Sequence, residues 1–190
     1  LLLRAALFRP QGEAFEPMEK PQLDEKEETE RLARLIRCKT VSSRDPALVD
    51  EAEFEKFRAL LIELFPKVHA TCTRELINGG LLYHWAGKTA QEPGILMAHY
   101  DVVPVDEAGW NVDPFAGIVK DGSLWGRGTL DTKCSLFGIL EAAEKLIGEG
   151  FVPEHDLYFS FGCDEEVEGK AARAIVETLK ARQIHPAFVL

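Results

Sequence analysis

Gly94-Ile95-Leu96-Met97-Ala98-His99-Tyr100-Asp101-Val102-Val103-Pro104 is a short apolar run that ends on a histidine and an aspartate. Residues 94–98 have the length and unbroken apolarity of a central strand covered on both faces. A second run, Asp156-Leu157-Tyr158-Phe159-Ser160-Phe161-Gly162-Cys163, ends on Asp164-Glu165-Glu166. Between the two lies a helical pattern over about Lys133 to Gly148, with Leu136, Phe137, Leu140, Ala143 and Ile147 on one face. A helix over Ala171 to Arg182 and a strand beginning at Ala187 continue the alternation. Strand, helix, strand, helix, strand predicts an α/β domain with a largely parallel central sheet.

Toward the N-terminus, Val68 to Ile77 and Leu81 to Trp85 read as strands around the hairpin signal Asn78-Gly79-Gly80. Asp24 with Glu27, and Asp50 with Glu53, have capping-box spacing. They predict one helix running to about Cys38 and burying Leu32, Leu35 and Ile36. A second would bury Phe54, Phe57, Leu61, Leu64 and Phe65 and stop at Pro66. The stretch holding Gly109, Pro114, Gly117 and Gly122 reads as a long loop. Residues 1–23, with Pro10, Pro17 and Pro21, read as an arm ahead of a domain over 24–190. Leu1 to Arg9 is too short to span a bilayer. It reads equally as the remnant of a membrane anchor or as a frayed terminus, so cytoplasmic and membrane-anchored or extracytoplasmic locations both stay open.

A net charge of −10, with Lys and Arg scattered, argues against a nucleic-acid surface. Cys38, Cys72, Cys134 and Cys163 lie far apart and read as free, mostly buried thiols, Cys134 and Cys163 included.

In an open α/β sheet, ligands gather beyond the carboxyl ends of the strands. His99 and Asp101, Asp131, and the Glu165-Glu166 pair all fall there. Imidazole and carboxylate donors suit zinc. His99 and Asp101 are two apart on extended backbone, so Asp101 can accept the other imidazole N–H and orient the ring. Asp131 can bridge two metal ions or simply cap the helix that follows. Glu165 and Glu166, if extended, point apart, so one can bind metal while the other faces a water. Alone, each residue has an ordinary reading: a satisfied histidine, a helix cap, a solvated acidic loop. Their convergence on one sheet edge favours a metal site. His69, His84, His155 and His185 read as surface or packing residues. Trp110, Phe115 and Trp125 read as packing for the long loop, which Arg127 helps to order.

His99-Tyr100-Asp101-Val102-Val103-Pro104, Trp110, Asp113-Pro114-Phe115, Asp121-Gly122, Gly126-Arg127-Gly128-Thr129-Leu130-Asp131 with Lys133, and Asp164-Glu165-Glu166 occur in this order. Together they resemble the aminoacylase/carboxypeptidase family of di-zinc exopeptidases, and within it the carboxypeptidase S-like branch, over residues 24 to 190. The resemblance implies a three-layer α/β/α catalytic domain. It implies two zinc ions, with Co2+ or Mn2+ as substitutes. His99 would bind one zinc, Asp131 would bridge, Glu166 would bind the other, Glu165 would be the general base and Asp101 would orient His99. It also implies a cis peptide at Asp131-Thr132, and a peptide or N-acyl amino acid as substrate. Ala98, Thr132 and Lys170 depart from the family pattern without touching a proposed ligand. Family members carry a further ligand after the next strand, a lid or dimerisation domain that would make the full-length form a homodimer, and a last histidine far downstream. The expectation is therefore the N-terminal part of a larger enzyme, inactive alone. The competing expectation is a non-catalytic binding or assembly module that keeps the fold.

Overall fold

The computed structural model describes residues 23–190. The expected arm or anchor remnant falls, apart from Leu23, outside the described residues. Among the described residues no helix is long and apolar enough to cross a membrane.

The first helix, α1 (Glu25–Ile36), starts where Asp24 accepts hydrogen bonds from the amides of Lys26 and Glu27 at 3.1 Å each. Helix α2 (Glu51–Leu64) starts the same way, with Asp50 accepting from Ala52. Such caps satisfy amides that a helix start leaves orphaned. Phe54, Phe57, Leu61, Leu64 and Phe65 are buried as the helical spacing predicts, and in α1 Leu35 and Ile36 are buried while Leu32 is half-buried. Glu53 does not complete a capping box. Its carboxylate accepts the Lys39 amide and the Lys56 ammonium instead.

One expectation fails here. Pro66 ends α2 but also opens a short helix, α3 (Pro66–Thr71), where a strand is predicted from Val68. Proline is preorganised for the first helical position. The amides of Lys67 and Val68 then donate to Glu144, 3.0 and 2.8 Å away, a residue more than seventy positions downstream. The strand β1 begins only at Thr73 (Thr73–Ile77).

Strand β2 (Gly80–Trp85) returns from β1 through Asn78 and Gly79, both at positive φ, as a two-residue hairpin turn requires. Strand β3 (Thr89–His99) follows. The long loop after it contains a small antiparallel hairpin, β4 (Ile118–Lys120) and β5 (Ser123–Trp125), turning at Asp121 and Gly122. It was not expected. Helix α4 (Lys133–Gly148), strand β6 (His155–Gly162), helix α5 (Lys170–Ala181) and strand β7 (Phe188–Val189) complete the order near their predicted bounds.

The sheet order is β1-β2-β6-β3-β7. Pairings β1–β2 and β2–β6 are antiparallel, while β6–β3 and β3–β7 are parallel. Four of the five strands therefore run one way and only β2 is reversed, a largely parallel sheet. Period-two alternation then sorts side chains by face. Leu81, Tyr83, Trp85, Phe159 and Phe161 pack against residues of α1 to α4. Leu82, Ile95 and Tyr158 pack against Ile175 and Leu179 of α5. Two helical layers enclose the sheet, as the resemblance implies. Two thiols depart from the reading: Cys134 and Cys163 are half-buried, whereas Cys38 and Cys72 are buried; all four are free.

Glu144→Gln keeps the shape but sets an NH2 against one of the two amides of α3. It should cost about 1–3 kcal/mol, the range for an unsatisfied buried donor. Urea denaturation checks this, and an unchanged midpoint would remove Glu144 as the partner that makes α3.

Candidate metal centre

Strands β3 and β6 lie side by side and parallel, with His99 in register with Gly162. Their carboxyl ends therefore deliver their following loops to one place, and the Tyr100 amide donates to the Gly162 carbonyl at 3.0 Å. Residues 40–42 run alongside the loop after β3. The Val102 amide donates to the Thr40 carbonyl at 2.9 Å and the Ser42 amide to the Val102 carbonyl at 3.1 Å, around a parallel bridge between Val41 and Val102. Asp101 is thus held between two backbones and is fully buried.

A buried carboxylate needs donors. Asp101 has the amides of Glu165 and Glu166, each at 3.1 Å, and His99 Nδ1, 3.3 Å from its Oδ1. His99 Nδ1 lies slightly nearer the Asp101 backbone carbonyl, at 3.1 Å. With Nδ1 engaged, Nε2 faces outward, where Asp131 Oδ1 stands 2.9 Å away. Asp131 is not the cap of α4. That position is taken by Thr132, which makes no side-chain cap bond. The Asp131-Thr132 peptide is cis.

Glu165 and Glu166 are not on extended backbone, as the sequence reading supposed. They belong to a turn in which the amides of Val167, Glu168 and Gly169 all point at the Asp164 carbonyl, while the Asp164 carboxylate accepts from Lys170 and Ala171 at the start of α5. Both glutamates consequently remain near the histidine. Glu165 Oε2 lies 3.7 Å from His99 Nε2, with its side chain 60% exposed. His99, Asp131 and Glu166 each offer one donor atom, and the three atoms lie within 4.8 Å of one another. All five residues singled out from the sequence are therefore together. Three of them, His99, Asp131 and Glu165, line a cavity of about 330 Å³ together with Met97, Ser160 and Ala172.

The local field is strongly negative. Burial opposes a charge on His99, but the Asp101 carboxylate and then Glu165 outweigh it and lift its pKa to about 9. Burial and then the neighbouring Asp131 push the Glu166 carboxyl up. Burial likewise opposes the Asp101 charge, yet hydrogen bonds from His99 and the Glu166 amide hold that carboxyl below its ordinary value. One imidazole and two carboxylates, with the imidazole's far nitrogen tied down, form a donor set that fits zinc.

Sequence reading missed Lys133 as more than a helix start. Its side chain is fully buried, and its Nζ donates to the carbonyls of Leu35 and Cys38 at 3.1 and 2.7 Å. Burial pushes its pKa down to about 7. Arg127 lies over the Trp110 ring, 5.4 Å from its centroid, and its amide donates to the Pro114 carbonyl, which fits the loop-ordering role read from the sequence.

Comparison with known proteins gives a consistent picture. The profile of peptidase family M20/M25/M40 matches residues 95–190. Probable carboxypeptidase S-like 2 of Dictyostelium discoideum is 41% identical over 154 residues, covering 77% of this chain and 29% of that protein. The human N-fatty-acyl-amino acid synthase/hydrolase PM20D1 is 36% identical over 155 residues, covering 80% of this chain and 30% of its own. Human carnosine dipeptidase 1 superposes with a TM-score of 0.70 at 20% identity, over 83% of this chain and 36% of the other, a likeness of fold. The chain spans less than a third of the length of these two curated relatives.

Asp101→Asn would set an NH2 against one of the donors that now meet the carboxylate. Zinc affinity, measured by competition with a chromophoric chelator, should fall about 10–100-fold, the usual cost of losing a partner behind a ligand. Unchanged affinity would mean that His99 needs no orienting carboxylate.

Proposed function

The chain belongs to peptidase family M20/M25/M40, and on that footing we propose that it carries catalytic residues of a metal-dependent amide hydrolase. The observation that carries the reading is the meeting of His99, Asp131 and Glu166 within 4.8 Å, with Glu165 beside them and exposed to the cavity. His99, Asp131 and Glu166 would hold the metal, Asp131 having a second oxygen free to bridge to another ion. Zinc bound there would polarise the scissile carbonyl and acidify water.

The remaining chemistry falls to the chain. Glu165 takes a proton from the attacking water as its oxygen bonds to the carbonyl carbon. The C–N bond then breaks, and Glu165 returns that proton to the leaving amine. Asp101 acts through His99, fixing the ring so that Nε2 is turned toward Asp131, where it would meet a bound ion. The names of the relatives, a carboxypeptidase S-like protein and an N-fatty-acyl-amino acid synthase/hydrolase, support a peptide or an N-acyl amino acid as substrate.

For the 190 residues alone we propose no significant turnover. The three donor residues grouped among the described residues fall short of filling two zinc shells of about four donors each. Zinc calorimetry with an amidase assay tests this; two tightly held ions and turnover would contradict it. In an active form of the protein, Glu165→Gln should leave zinc content intact and lower kcat by roughly 10²–10⁴-fold, the share of a general base. Retained activity would take the base role away from Glu165, and lost zinc would make it a ligand instead.

A further inference from the structure

Lys133 is a buried amine that the proposed chemistry does not use. Among the described residues no carboxylate pairs with it: its Nζ meets two backbone carbonyls, those of Leu35 and Cys38, and stands 5.1 Å from the Phe57 ring centroid. Those carbonyls belong to the C-terminal end of α1 and the turn after it, where a helix leaves acceptors unpaired and carries partial negative charge. A satisfied cap would be reason enough for an amine. Its position in the fold shows more.

The lysine backbone lies two residues beyond Asp131, and its amide donates to the Gly128 carbonyl at 3.0 Å. Gly128 has φ +92°, and a Cβ there would stand 3.0 Å from Val102 and 3.2 Å from the Lys133 stem. The chain around Asp131 is thereby pressed against the loop that carries Asp101. At its other end the side chain grips Cys38, two residues before Thr40. Thr40 and Ser42 are the residues whose backbones pair with Val102, and the Thr40 hydroxyl donates to the Tyr100 carbonyl at 2.5 Å. A third tie runs through Phe57, whose ring stacks on Tyr100 at 4.9 Å and 5°. The ties through Gly128, Cys38 and Phe57 each lead to Tyr100 or Val102, the neighbours of Asp101.

We infer that Lys133 is a positioning residue. It couples the segment bearing Asp131 to the segment bearing His99 and Asp101, and so sets the separation across which a metal is held. The inference rests on the metal-site reading above for its purpose, but its geometry stands without it. Glu144 provides the comparison, being a buried charged residue on the same helix whose contacts, Lys67 and Val68, lie away from the site.

The test uses Lys133→Met, which keeps length and apolar bulk but removes the donors, beside Glu144→Gln and Lys133→Arg. In hydrogen–deuterium exchange, Lys133→Met should speed the Ser42 and Val102 amides by about tenfold or more, the counterpart of losing a buried donor. The hairpin joining β1 and β2 should be unaffected. Glu144→Gln should instead loosen Lys67 and Val68. Zinc affinity should fall about 10-fold or more in Lys133→Met and not in Glu144→Gln, with Lys133→Arg recovering part of both losses. If Lys133→Met does not fold, Phe57→Leu is read the same way, with faster exchange expected at Val102. Faster exchange spread evenly over the chain, or confined to residues 35–38, would overturn the inference and leave Lys133 a simple helix cap. So would local loosening with unchanged zinc affinity, since no metal geometry would then depend on the lysine. Should the unaltered chain bind no zinc while the exchange pattern holds, the coupling stands and the metal reading fails.

Discussion

Asp101 buries a full negative charge and receives three donors, the ring of His99 at the end of β3 and the amides of Glu165 and Glu166 in the loop after β6. Because an unpaired buried carboxylate is costly, those donors cannot leave without a large penalty. The carboxylate thus acts as a clasp between the ends of β3 and β6. One contact aims the imidazole and places both glutamates beside it. The parallel pairing of the two strands makes the clasp possible, since it brings both carboxyl ends to one edge of the sheet.

The surrounding charges support the metal site proposed for the clasp. Four carboxylates lie around one buried imidazole; Asp101 and Glu165 draw the His99 value up by attraction, while burial and then the Asp131 charge raise Glu166. Such a cluster works against folding by itself. A divalent cation bound there would relieve it, an exchange of stability for affinity that binding sites commonly make. The ion would be gripped from loops that the sheet edge, the clasp and the lysine behind it hold in place.

Much of this was legible in the chain. Apolar runs ending in His99 and in Asp164-Glu165-Glu166 located the strand ends, and the Asn78-Gly79 turn located the reversed strand. What escaped has physical causes. Helix α3 depends on Glu144 arriving from another helix to cap its amides, a partner no local pattern shows. Strands β4 and β5 are three residues each and largely exposed, so burial imprints no alternation on them. Glu165 and Glu166 cannot be told apart by spacing, because the backbone there is a turn closed by Asp164. Lys133 looks like any polar residue at a helix start, and only the packed structure shows its amine inside.

Zinc-edge anomalous diffraction from a zinc-soaked crystal of the chain tests the central claim most directly. The account places the ion about 2.0–2.2 Å from His99 Nε2 and from oxygens of Asp131 and Glu166. Asp101 should stay behind the histidine and Glu165 should remain outside the coordination shell. Zinc bound without His99, or with Glu165 in place of Glu166, would contradict it.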